Sequence, residues 1–311
     1  TRKTFKLVFT NRTKKTLVYT MDSNEDTDGV YTSAINPKNG VLYDAKIAGA
    51  SIKSGKRSIK VKAGKTVKVT FTLTLPKTFD QDQYVEGFLN FKGNDGSRLN
   101  IPYLGFFGDW AGLDIVDAIN GVTFDGTVGN YGTIPLLTNA SNGSQYYGGL
   151  TQDAKGNLKG DVSHLAFSTN PDATFNAISM QYYLLRNVHD VKVEILDAKG
   201  KSVTTLSTSA EETKSYYYSN GQRFVYFHPP SWDGSYYDQA TGKTVKAADG
   251  KYVYRISAAP EGSAKRQSYD VSFTLDSQAP QVRNIDLAAK TENGATSYYL
   301  TAETKDDLSG L

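Results

Sequence analysis

Few residues in this chain of 311 could carry chemistry, and the first group of them is acidic. In Asp22-Ser23-Asn24-Glu25-Asp26-Thr27-Asp28-Gly29, oxygen-bearing side chains recur at the alternate positions Asp22, Asn24, Asp26 and Asp28, ahead of a glycine. Hard Ca²⁺ takes several oxygen ligands and its loop needs a sharp turn, so the run offers a calcium site. With Asn24 as first ligand, Asp26, Asp28 and Gly29 fall at positions three, five and six of an EF-hand. Position twelve is then Ile35, where a bidentate Glu belongs, which excludes a full EF-hand. A looser calcium site or a solvated hairpin turn remains, and calcium is the only cofactor the sequence offers.

The second group is aromatic. Tyr216-Tyr217-Tyr218 and Tyr236-Tyr237 place flat rings with polar tips in stretches that read as loops, a surface suited to protein or carbohydrate contact. Strand and inter-module packing is the competing use.

Catalysis finds little to work with. There is no cysteine, so disulfides, thiolate metal sites and a Cys nucleophile are all excluded. Neither a Gly-Thr-Ser-type motif nor a G-x-S-x-G elbow occurs, and His164, His189 and His228 stand far apart. We therefore expect no enzyme in this chain.

Lys53, Lys56, Arg57, Lys60, Lys62, Lys65 and Lys68 form the densest basic stretch, with no aromatic before Phe71. Nucleic-acid binding would want stacking rings among the charges, so a nucleic-acid partner is not expected. The alternation of Lys60, Lys62 and Lys68 reads as the polar face of two strands, with an anionic wall polymer as the other use. The net charge of +3 conceals a split: residues 1–107 hold eighteen Lys and Arg against nine acids, and the rest seventeen against twenty-three. No apolar run approaches the ~20 residues of a membrane helix, so membrane insertion is not expected. The first residues lack a signal-peptide core, and a secreted parent would carry its export signal upstream of Thr1.

The elements that must position these residues are strands. Twenty-one Tyr and fourteen Phe, with abundant Thr and Val, favour pleated surfaces. Phe5, Leu7 and Phe9 alternate before the turn Asn11–Lys15, and Leu17–Tyr19 follow. Val67, Val69, Phe71, Leu73 and Leu75 keep period two, which puts all five on one face. Tyr84–Phe91 and Leu99–Phe107 flank Asn94-Asp95-Gly96, whose residues tolerate positive φ and so predict a hairpin. From Gly108 to about Asn170 the pattern weakens into a loop-rich lead-in, with at most a short helix over Leu113–Ile119. Strands return at Met180–Leu185, Val191–Ile195 and Val203–Leu206, then at Tyr252–Ile256 and Tyr269–Leu275. Asp276–Pro280 reads as a linker, followed by two strands at Val282–Leu287 and Tyr298–Glu303.

At this level the sequence resembles a known family. Tyr84-Val85-Glu86-Gly87-Phe88 and Ile101-Pro102-Tyr103-Leu104-Gly105-Phe106-Phe107-Gly108-Asp109-Trp110 are similar to the end of the first fibronectin-like domain of lactocepin-like cell-envelope proteinases and complement-inactivating peptidases. Trp232-Asp233-Gly234 and Asp249-Gly250-Lys251-Tyr252-Val253-Tyr254 resemble a hairpin of their second module. Ser168–Ala173 stands where the family has a glycine-bearing loop, but lacks the glycines.

The expected fold is all-β, with tandem fibronectin type III/immunoglobulin-like β-sandwiches at 1–107 and 108–280 and the start of a truncated third module at 281–311. The resemblance implies a non-catalytic accessory piece of a secreted, cell-wall-associated subtilisin-like serine endopeptidase. Its partners would be an upstream protease domain, and a protein substrate or cell-wall polymer. The alternative is an adhesin-type module that binds host protein or wall glycan through the tyrosines.

Overall fold

The computed structural model describes residues 1–32, 40–116, 134–148, 150–152, 154–156, 158–160, 162–214 and 227–309. Every regular element among them is a strand. The chain divides into two compact units, Thr1–Gly112 and Leu113–Leu311.

The first unit contains β1 (Arg2–Thr10), β2 (Leu17–Ser23), β3 (Asp26–Thr32), β4 (Gly40–Lys46), β5 (Ser51–Ser54), β6 (Ile59–Val61), β7 (Thr66–Thr74), β8 (Gln83–Gly93) and β9 (Arg98–Phe107). One sheet runs β1-β7-β5; the other runs β4-β3-β8-β2-β6, with β9 on the far edge of β8. The two strands around the Asn11–Lys15 turn are not partners: β1 pairs with β7, and β2 with β6 and β8. Asn11 makes this possible. It is buried, its amide donates to the carbonyls of Lys15 at 2.7 Å and Val61 at 3.0 Å, and its carboxamide oxygen accepts the Thr13 amide at 2.9 Å. The chain thus crosses between sheets with its polar backbone groups satisfied.

The inward residues of both sheets meet in one core, including Phe9, Ile59, Val61, Val69, Phe71, Leu89 and Phe91. Its rings pack edge to face, Phe9 on Phe91 at 5.1 Å and Phe71 on Phe91 at 6.0 Å between centroids. Such pairs add roughly 0.5–1.5 kcal/mol beyond area burial. The period-two stripe sits here as its spacing predicts at Val69 and Phe71, while Leu75, just past β7, is buried in a second small cluster with Ile47 and Val85. The β8–β9 hairpin forms across Asn94-Asp95-Gly96, where Gly96 takes φ 86°.

The second unit begins with short strands, β10 (Ile134–Thr138), β11 (Gln145–Tyr147), β12 (Leu150–Gln152), β13 (Leu158–Gly160) and β14 (Ala166–Phe167). Long ones follow: β15 (Ala177–Gln181), β16 (Val188–Asp197), β17 (Ser202–Glu212), β18 (Ser235–Asp238), β19 (Lys243–Lys246), β20 (Gly250–Pro260), β21 (Gln267–Leu275), β22 (Gln281–Glu292) and β23 (Ala295–Lys305). The main sheet is β14-β21-β20-β16-β17, and a smaller one is β11-β10-β15. Between them lies a core holding Ile115, Val116, Ile178, Met180, Ile195, Trp232, Tyr254, Ile256, Phe273 and Leu275.

The stretch read as a loop-rich lead-in therefore supplies five strands, β10 and β15 pairing over their whole length. Each is too short, at two to five residues, to show alternation. No helix forms at Leu113–Val116; Ile115 and Val116 are core residues, and Val116 makes a β-bridge to Leu184.

β22 and β23 form a hairpin whose residues are all exposed. Asn284 takes φ 48° at a register shift between Arg283 and Asp286. The extra residue brings Val282 onto the same face as Ile285 and Leu287, opposite Leu300 and Tyr298. Arg283, Asp286, Lys290 and Glu303 take the other face.

Candidate functional site

The acidic run is where the structure departs most from its expected form. It is a strand, not a turn. β2 and β3 keep one register against β8, from Ser23 opposite Leu89 to Asp26 opposite Glu86, with a break only at Asn24 and Glu25. Asp22 lies on β2 and Asp28 on β3, and across the break between these strands the side chains of Asn24 and Asp26 meet each other.

The two break residues are engaged in holding the sandwich. Asn24 Oδ1 accepts the Phe88 amide at 3.0 Å, its Nδ2 donates to Asp26, and its carbonyl accepts the Tyr103 hydroxyl at 2.8 Å. Glu25 is 7% exposed, and its Oε1 accepts the Ser23 hydroxyl at 2.7 Å and the Ile52 amide at 2.9 Å. Gly87 stands against this break with φ 146°, where a Cβ would lie 2.2 Å from the Asn24 carbonyl oxygen. Asn24, Asp26, Asp44, Glu86 and Tyr103 line a concavity of about 450 Å³. Burial, then the negative charges of Glu25, Asp26 and Glu86, push the Tyr103 hydroxyl far above the ordinary phenol range. Among the described residues, no three His, Asp or Glu side chains gather to hold a metal ion.

Of the tyrosines, Tyr216, Tyr217 and Tyr218 lie outside the described residues. Tyr236 and Tyr237 sit on β18, half of the β18–β19 hairpin. Trp232 anchors that hairpin. It is 2% exposed, its indole N–H donates to the Ser235 carbonyl at 2.8 Å, and its ring packs on Tyr252 at 5.5 Å and Phe273 at 5.9 Å. Gly234 then needs φ 83°, and a Cβ there would meet Thr169 Cγ2 at 2.4 Å, so the Trp-Asp-Gly motif is one of packing and turn geometry.

Asp233 accepts Lys246 at 3.0 Å, and despite opposing burial the Lys246 and Ser235 bonds hold its carboxyl below the usual range. Asp238 closes the hairpin turn by accepting Thr241 at 2.7 Å and the Ala240 amide at 3.0 Å, bonds that lower its pKa. The β16–β17 turn lies beside the hairpin. Between them is a concavity of about 460 Å³ lined by Tyr236, Tyr237 and Asp238 together with Asp197, Lys201, Gln239 and Tyr252. Sequence spacing pairs Tyr236 with Tyr237 but gives no sign of these last four, because Tyr252 alternates like a core residue and Asp197–Lys201 reads only as a turn.

The histidines serve three different places. His164 is exposed on the turn before β14. His189 on β16 bonds Asp190 at 2.7 Å and the Ser263 carbonyl at 2.8 Å, two acceptors that together favour the doubly protonated ring and raise its pKa. His228 follows the β-bridge residue Phe227, and burial pushes its pKa down. The basic stretch Lys53–Lys68 is exposed at every Lys and Arg, with Ile59 and Val61 buried between them.

Two packed sheets with these edges define an Fn3-like sandwich: residues 1–104 match the Fn3-like domain family. Over all 311 residues the chain is 60% identical to a segment of the PII-type proteinase of Lactococcus lactis subsp. cremoris, and it spans 16% of that protein. The PII-type proteinase of Lacticaseibacillus paracasei is 61% identical over the same span, again covering 16% of its length. The C5a peptidase of Streptococcus pyogenes is 23% identical, aligned over 85% of this chain and 28% of its own length. The chain thus corresponds to about one sixth of the proteinases it matches.

Proposed function

We propose that this chain is a non-catalytic accessory module of a secreted, cell-wall-associated subtilisin-like serine endopeptidase. In that protein it positions and stabilises the protease domain and contributes to recognition of protein substrates. The observation that carries this reading is the 60% identity across the entire chain to a minor share of a proteinase.

The outer face of the β8–β9 hairpin supports it. Tyr84, Phe88 and Leu104 are 37%, 45% and 68% exposed, and Phe106 joins Tyr84 and Trp110 in an edge-to-face ring cluster at 5.5 and 5.2 Å. An exposed apolar patch rimmed by the carboxylates of Asp26, Asp44 and Glu86 is the form an interdomain contact takes. We place the neighbouring protease domain there, and take residues 1–107, 108–280 and 281–311 as successive modules of the scaffold.

The test uses the whole proteinase carrying Phe88→Ser and Leu104→Ser. Both residues face outward, so the isolated chain should keep its Tm. The expected result is earlier thermal inactivation, or an altered casein cleavage pattern, with turnover of a short peptide substrate retained. Unchanged inactivation and an unchanged pattern would overturn the proposal.

A further inference from the structure

The concavity between the β16–β17 turn and the β18–β19 hairpin has the composition of a sugar site, and we propose that it binds a neutral glycan chain. Its aromatic surface comes from Tyr236, Tyr237 and Tyr252. Tyr252 is fixed, its hydroxyl donating to the Ala248 carbonyl at 2.7 Å and its ring held on Trp232 and Phe273. Tyr237 is 55% exposed, which leaves a ring face open to the apolar C–H face of a pyranose.

The polar groups around these rings divide into two sets. Asp197 is turned to its own loop, accepting the amides of Lys199 and Lys201 at 2.9 Å each. The hydroxyls of Tyr236 and Tyr237, the Gln239 carboxamide and the Lys201 ammonium have no hydrogen-bond partner among the described residues. These supply donors and acceptors of the kinds that sugar hydroxyls need, over an aromatic floor.

Size and charge choose the ligand class. About 460 Å³ falls within the range of small-molecule sites. It accommodates a short run of sugar rings, and an extended peptide pairing with the β17 edge is the alternative that a casein digest tests. Asp197 and Asp238 outnumber Lys201, so a phosphate-rich polymer would meet net repulsion. The site lies within the second unit, remote in sequence from the β8–β9 face, and stands or falls independently of the accessory role.

Native gels containing a neutral polysaccharide, followed by calorimetric titration of this chain with oligosaccharides of glucose, galactose, rhamnose and N-acetylglucosamine, test the proposal. A Kd of about 1 mM or tighter is expected for at least one oligosaccharide. Tyr237→Ala should weaken it at least about tenfold, and Tyr237→Phe, which keeps the ring, by less. Both variants should keep the parent Tm, since the side chain is exposed. Two further arms, polyglycerol phosphate and a casein digest, separate the alternatives. Saturable binding confined to either of those, or no saturable binding to any sugar, would overturn the inference, as would sugar binding indifferent to Tyr237→Ala.

Discussion

The carboxylate of Glu25 accepts the backbone amide of Ile52 at 2.9 Å, joining the β2–β3 strand of one sheet to β5 of the other across the first sandwich. Its second bond, from the Ser23 hydroxyl at 2.7 Å, fixes the rotamer that makes this link. A buried carboxylate thus acts as an inter-sheet tie in a run whose composition suggested metal binding.

Replacing it should expose that role. Glu25→Ala leaves the Ile52 amide buried without an acceptor, at a cost of about 1–3 kcal/mol. Glu25→Gln keeps one acceptor oxygen and should cost less. Thermal melts of the two variants check the order, and addition of Ca²⁺ should leave all three melting temperatures unmoved.

Gly87→Ala should be more damaging than an ordinary surface change. The new Cβ would lie 2.2 Å from the Asn24 carbonyl oxygen, at a φ of 146° that side chains rarely adopt. The strand break at Asn24 must shift, at an expected loss of about 2 kcal/mol or more. Denaturant unfolding, compared with Gly55→Ala at an exposed glycine with open space around it, measures it.

Tyr254 is 1% exposed, and its hydroxyl finds no hydrogen-bond partner among the described residues. Burial alone pushes its pKa far upward, so the hydroxyl stays protonated, a dipole in an apolar core. Tyr254→Phe removes that unsatisfied group at nearly constant shape. It should stabilise the second unit by about 1 kcal/mol, read as a higher denaturation midpoint with unchanged m.

His189 makes stability depend on pH. Its ring bonds the Ser263 carbonyl and the Asp190 carboxylate, which raise its pKa above 6.5. The group therefore contributes stability that is fully present below the ordinary imidazole pKa and is lost as pH rises through the raised folded value. Melting temperatures taken across that window should fall more steeply for the parent chain than for His189→Asn. Parallel curves would argue against this linkage.

The alternating stripes of β7, β8, β20 and β21 made the all-β class and much of the inward-facing core legible, because period two is a property of the chain alone. The glycine-bearing turn at Asp95-Gly96 was legible from equally local chemistry. The motifs Tyr84–Phe88 and Ile101–Trp110 pointed to the proteinase resemblance that the full-length identity bears out.

Long-range pairing was not legible. Nothing in Phe5–Tyr19 says that the strands on either side of Asn11 enter different sheets; that follows from Asn11 bonding Val61, fifty residues away. The five strands β10–β14 were too short to carry a period, and their stability comes from partners such as β15 and β21. The acidic run shows the difference most clearly. Its composition fixes the supply of oxygens, but whether they converge on an ion or spread along a strand depends on the continuous register with β8, a property of two distant segments together. Likewise Tyr236 and Tyr237 were visible as rings, while Asp197, Lys201 and Tyr252 join them only because the fold sets the β18–β19 hairpin beside the main sheet that carries them.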